Sequence, residues 1–270
     1  MNAFEKETAV PSRTSFLTAA RRKGNVMKAV MLRDMRTRFF DHGLGFLIVI
    51  FFPLGHMMIL LLIYSVLGRS APYGDSLMLF FGTGLVPTLA FMYVSRMMVV
   101  SIQANRPMLS FPAIRVTDII FGRAVLEVFG SCMMAVLVVL IFALMGQPAL
   151  PIDVPNAVAA LAATLVLAIG VGFLMSLAAA IIPAVAMAYM LATILVYILS
   201  GTLFVASSLP APVIEVLAWN PVLHGVEWLR SAYYLDYPTQ VLDKGYLIAC
   251  GAITLLLGLL VERYSRTLVY

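Results

Sequence analysis

Between Asp153 and Glu215 the chain carries no charged side chain. An apolar run of that length cannot form one helix, because roughly 20 residues already cross a bilayer, so it must fold back on itself. Ile181-Ile182-Pro183 marks the turn, since a residue preceding proline is pushed out of helical backbone. Four further apolar stretches complete a ladder of six: Leu44 to Leu67, Leu77 to Met98, Ala124 to Met145, Ala157 to Ile181, Ala184 to Val205 and Tyr246 to Val261. The expected fold is all-α, a polytopic membrane protein with six transmembrane helices spread over residues 43–270, preceded by a polar segment 1–42. With 62% hydrophobic and only 11% charged residues, no separate soluble domain is left over.

Of the 18 Lys and Arg residues, all but Arg69, Arg230 and Lys244 fall on one side of this ladder. Basic loops stay on the cytoplasmic side of a membrane, so both termini are expected to be cytoplasmic. A pI near 9.3 then reflects juxtamembrane bases facing anionic lipid rather than nucleic acid. Segment 1–42 is too long and too charged for a cleaved signal peptide, and Cys132 and Cys250 fall inside spans, where cysteine packs as a small hydrophobe.

Residues 1–24 read as weakly ordered. Asn25 is then a helix cap, followed by Met27, Met31, Met35 and Phe39 at i+4 spacing. This pattern predicts an interface helix lying on the cytoplasmic membrane surface with its Met and Phe stripe at the headgroup boundary. Pro53 and Pro87 each remove a backbone hydrogen bond inside a span. Segment 207–243 is broken by four prolines and carries Glu215, His224, Glu227, Arg230, Asp236 and Asp243 among apolar residues. It predicts two short re-entrant helices split at Asn220, the second beginning with Pro221, running to about Tyr234 and placing His224, Glu227 and Arg230 on one flank. This segment is read as a cap or gate on the outer face.

No glycine-rich phosphate loop precedes any of the four lysines, and neither a metal-ligand cluster nor a nucleophile elbow is present. His42, His56 and His224 sit in separate regions. Arg123 and Glu127, one helical turn apart, read as a local ion pair, and the ladder offers few other ionisable groups for an ion-coupled carrier acting alone. The sequence therefore points to a transport subunit that is not itself an enzyme and takes its energy from a separate protein. Loop 103–118 suits docking of that protein, because Met108, Leu109 and Phe111 stand among bases between Pro107 and Pro112. A plain connecting loop is the alternative.

Several motifs resemble the permease subunits of type-2 ATP-binding-cassette exporters of capsular polysaccharide, O-antigen and teichoic acid. Leu32-Arg33-Asp34-Met35-Arg36-Thr37-Arg38 resembles the family's interface helix, and Leu44-Gly45-Phe46 followed by Pro53 resembles its entry into the first span. Asn105 to Asp118 matches the position of its coupling helix. Asn220-Pro221-x-Leu223-His224-x-x-Glu227-x-x-Arg230 resembles the signature before the last span in the capsule branch. Where the family often has Trp and an acid-Pro pair in the first span, this chain has Ile48 and Phe52-Pro53.

The resemblance implies a homodimer in the bacterial inner membrane, bound to two ATPase subunits that hold ATP and Mg, with no cofactor in this chain. It also implies a conduit for lipid-linked capsular polysaccharide lined by the first and fifth spans, and a possible polysaccharide co-polymerase or adaptor at the outer face. O-antigen or teichoic acid is the alternative cargo. On that reading Asn105, Arg106, Met108, Leu109, Phe111, Arg115 and Asp118 couple to the ATPase. Arg33, Arg36 and Arg38, with planar donors suited to phosphate, meet the lipid-linked glycan. Tyr64, Tyr93, Tyr189 and Tyr197 offer rings on which sugar faces stack, although each also suits an aromatic belt or helix packing. Asn220, Pro221, His224, Glu227 and Arg230 form the outer gate.

Overall fold

A computed structural model describes residues 16–37 and 45–264, with the side chains of 16–20, 22, 36, 37, 45 and 46 excepted. The described residues form ten α-helices and no strand. In chain order they are α1 (Phe16–Thr37), α2 (Gly45–Val66), α3 (Leu77–Val99), α4 (Ser101–Ala104), α5 (Val116–Leu144), α6 (Val154–Ile181), α7 (Ala184–Ile198), α8 (Ala211–Leu217), α9 (Pro221–Tyr233) and α10 (Lys244–Tyr264). Helices α2, α3, α5, α6 and α10 are each long and apolar enough to cross a membrane. The sixth expected span is α7, which stops at Ile198 rather than Val205.

Helix α3 is the axis of the bundle, buried without interruption from Leu79 to Met92 and packed by α2, α5, α6, α7 and α9. Its start is fixed by Ser76, whose hydroxyl accepts the Leu79 amide at 3.2 Å. Close packing of α3 against α6 relies on Gly172, which lies against Ser95 and Met98 and has no room for a β-carbon. The α6–α10 contact depends in the same way on Gly170 and Gly251, as small residues let membrane helices approach closely.

Two expectations fail at the end of the bundle that carries most of the bases. Helix α1 begins at Phe16, so Asn25 is an exposed mid-helix residue, not a cap. Its buried edge is Val30 and Asp34, one turn apart, seated on Gly122 of α5, while Met27, Met31 and Met35 are only half-buried. The helix therefore docks on protein through a mixed apolar and acidic edge, and Phe39 lies outside the described residues. The third span begins at Val116 rather than Ala124, because Asp118 caps it by accepting the Arg115 amide at 2.9 Å.

At the opposite end, Asp153 caps α6 through the Asn156 amide at 3.0 Å. Asn156 in turn accepts from Trp228 of α9 at 2.8 Å and from Lys244 of α10 at 2.9 Å, so one side chain ties three helices together. Helices α8 and α9 meet at Asn220, as predicted, and the Asn220 side chain accepts the Val222 amide at 3.1 Å.

Candidate functional site

Three groups of candidate functional side chains lie along the bundle, beginning at the basic end. There α4 ends at Ala104 and residues Arg106–Ser110 form a single 3-10 turn before α5. Arg106, Phe111 and Arg115 are exposed, Phe111 by 61%, whereas Met108 and Leu109 are half-buried. An exposed phenylalanine between two exposed arginines is a ready contact for another protein.

The turn is anchored from behind. Asn105 is buried and donates to the Ser101 carbonyl at 3.0 Å, while its own side-chain oxygen accepts from Arg33 of α1 at 3.3 Å. Lys23 of α1 pairs with Asp118 at 2.5 Å. Arg123 reaches Asp34 of α1 at 2.6 Å and Glu127 of its own helix at 3.0 Å. The Arg123–Glu127 pair expected from spacing is present, but it is part of a buried triad that crosses to α1. Helix α1, the turn and the start of α5 are thus held as one unit. Of the three arginines expected to meet phosphate, Arg33 is engaged with Asn105, the Arg36 side chain is not described, and Arg38 lies outside the described residues.

The second group occupies the middle of the bundle. His56 of α2 shares a hydrogen bond of 3.1 Å with the hydroxyl of Tyr93 on α3 and stacks on Tyr197 of α7, ring centres 6.3 Å apart. Phe52 stands edge-on to Tyr93. Arg96, one turn along α3 from Tyr93, donates to Thr193 at 2.6 Å and to the Met190 carbonyl at 2.7 Å. Two of the four expected tyrosines, Tyr93 and Tyr197, therefore meet through His56, whereas Tyr189 packs against Val99, Ala179 and Ala186. Tyr64 is held elsewhere, stacked on Phe81 at 4.6 Å with Arg69 over its ring. Sequence reasoning left His56 and Arg96 out of this group; the one available signal was Phe52 and His56 at i+4 spacing beside Pro53.

The third group is the expected outer gate, and its charged members are fully inside the protein. Arg230 and Glu227 have no exposed surface. The Arg230 guanidinium donates to the carbonyls of Gly201 (2.8 Å), Thr202 (2.9 Å) and Phe204 (3.0 Å) and lies 3.9 Å over the Phe80 ring. These carbonyls follow the end of α7, where backbone acceptors lack helical partners. Glu227 lies 3.7 Å from Arg230 and accepts the Tyr237 hydroxyl at 2.8 Å. His224 accepts the Asp243 amide on Nδ1 at 3.0 Å and so donates from Nε2 to the Ala218 carbonyl at 2.9 Å. The three residues bind the turn after α7, the start of α9 and the entry to α10 into one body.

That turn needs glycine twice. Gly201 has φ +74°, a left-handed conformation that other residues adopt only with strain. Gly84 on α3 leaves space for Arg230 and Thr202, which a β-carbon would meet at 2.8 and 3.0 Å. Beneath them Thr88, Ser200 and Thr202 form a buried hydroxyl cluster with contacts of 2.8 to 3.3 Å.

Comparison with known proteins returns one consistent answer. The family described as "ABC-2 type transporter" matches residues 25–234. The capsule polysaccharide export inner-membrane protein CtrC of Neisseria meningitidis is 26% identical over 94% of this chain and 96% of its own length. A polysialic acid transport protein, KpsM of Escherichia coli, is 29% identical over 88% of this chain and 92% of its own. A capsule polysaccharide export inner-membrane protein, BexB of Haemophilus influenzae, is 25% identical over 94% and 96%.

Proposed function

This chain belongs to the ABC-2 type transporter family, and on that premise we propose that it is the permease subunit of an ATP-driven exporter of lipid-linked capsular polysaccharide across the inner membrane. The observation that carries the reading is the near-complete coverage of relatives named for capsule or polysialic acid export. The buried Asn220–Arg230 assembly, built on residues that resemble the capsule-branch signature, supports it.

The permease works as a homodimer with two ATPase subunits, which supply ATP and Mg, and both of its termini face the cytoplasm. The exposed turn at Arg106–Ser110 receives the ATPase. Because Asn105 and Asp118 tie that turn to α1 and α5, a displacement there moves two helices together rather than bending a loop. Sugar rings pass along the Tyr93–His56–Tyr197 wall, where stacking on the aromatic rings is favourable. Segment 207–243 closes the outer end, and its position there suits an adaptor or co-polymerase.

Deleting the gene in a capsulated host should abolish surface polysaccharide while lipid-linked polymer accumulates inside, and the gene supplied in trans should restore export. Unchanged surface polymer in the deletion strain would overturn the reading.

A further inference from the structure

Among the described residues Arg96, in the last turn of α3, is a cation without a charged partner. Among the described residues its hydrogen bonds go to the Thr193 hydroxyl and the Met190 carbonyl, neither of them charged. An arginine in the last turn of a spanning helix ordinarily extends toward the nearer membrane surface. Arg96 instead reaches sideways to Thr193, nine residues into α7 and so about 13 Å from that helix's start at the basic end. Its side chain is half-buried, with donors left over after two hydrogen bonds.

The surroundings are those of a binding wall rather than of a structural ion pair. Tyr93 and Tyr197 flank His56, and all three are half-buried. The adjoining faces of α2 and α7 are bare and apolar, Phe52 being 63% and Ile194 47% exposed. A fixed, underused guanidinium beside aromatic rings matches an oxyanion carried on a sugar ring, since its fork donates paired hydrogen bonds to a carboxylate or phosphate.

We infer that Arg96 binds a carboxylate or phosphate borne by the translocated glycan, while Tyr93 and Tyr197 hold the adjoining sugar face. This deepens the exporter reading and rests on it: the polymer is an anionic one, and the charge is read inside the membrane. Thr193 and the Met190 carbonyl are positioning groups that aim the guanidinium.

The test uses the chain with its ATPase subunits in phosphatidylcholine nanodiscs, and two labelled oligosaccharides of equal length, hyaluronan with a carboxylate on every second ring and neutral dextran. The wild type should bind hyaluronan about ten-fold more tightly than dextran, and Arg96→Gln should erase that preference without weakening dextran binding. Arg96→Lys should restore part of the preference, and Thr193→Val should reduce it with the charge still present, which separates anion binding from loss of folding. Equal wild-type affinities, or an undiminished preference in Arg96→Gln, would overturn the inference. So would a result in which added phosphatidylglycerol displaces hyaluronan and Arg96→Gln affects only the lipid, since the anion would then be a headgroup. Dextran binding and surface export that persist in any of these cases leave the exporter reading standing.

Discussion

Arg123 of α5 and Asp34 of α1 meet at 2.6 Å with only about a twentieth of either side chain exposed. Breaking a buried pair by removing one partner costs about 3–5 kcal/mol, because the remaining charge stays desolvated. Here Glu127 also neutralises Arg123, so Asp34→Ala should cost about 2 kcal/mol, below that range. Arg123→Ala leaves two carboxylates buried and should cost the full amount. Limited proteolysis of detergent-solubilised protein should release α1 faster in both variants, Arg123→Ala leading.

The Arg106–Ser110 turn, proposed to receive the ATPase, gives a test on binding rather than stability. Arg106 and Phe111 are exposed, and Asn105 behind them is buried. Arg106→Glu combined with Met108→Asp should abolish co-purification with the ATPase subunit and leave the permease's own melting temperature within about 2 °C of wild type, since changes at such exposed or half-buried sites move stability little. An intact complex would remove the turn from the interface. Asn105→Ala should instead lower melting as well as coupling, because it deletes bonds to both α4 and α1.

At the opposite end the Asp153 cap is exposed, and the Asn156 backbone amide, then the Asn156 side chain, hold its carboxyl below the usual range. A group whose pKa is lowered by folding stabilises the fold above its unfolded value and loses that contribution as pH falls through the folded one. The difference in melting temperature between wild type and Asp153→Ala should therefore be full above about pH 4 and shrink as the pH is lowered further. A gap that does not vary with pH would mean that the charge plays no part in the cap.

Most of the ladder was legible because spans depend on composition over some twenty residues: α2, α3, α6 and α10 begin and end within three residues of the apolar stretches. The start of α1 was not, since the basic stretch at Arg21, Arg22 and Lys23 looks like tail until Lys23 is seen against Asp118. Spacing revealed Arg123 with Glu127 but gave no sign of Asp34, 89 positions away. The Asn220–Arg230 motif was visible in sequence, whereas its work was hidden, because Arg230 binds backbone carbonyls that no side-chain pattern reports. His56 and Arg96 were left out of the tyrosine group because their partners sit on other helices, Tyr93 on α3 and Tyr197, Thr193 and Met190 on α7.

The Arg230 cage yields the sharpest contrast between similar residues. Its fork spans three carbonyls after α7 while the plane covers Phe80, and lysine, with one compact ammonium, cannot satisfy both. Arg230→Lys should therefore cost about 2–3 kcal/mol, and Arg230→Met about 3–5 kcal/mol, since Glu227 is then buried without its cation. Pairing Arg230→Met with Glu227→Gln should recover part of that loss, because the stranded charge is gone and Tyr237 can still donate to the amide oxygen. Gly201→Ala should add a separate penalty of about 1–2 kcal/mol from its left-handed backbone, with Leu223 crowding the new methyl at 2.7 Å. Thermal unfolding in detergent reads all four. If Arg230→Lys melts with the wild type, the guanidinium is not what holds the turn, and α9 must be anchored by its apolar face alone.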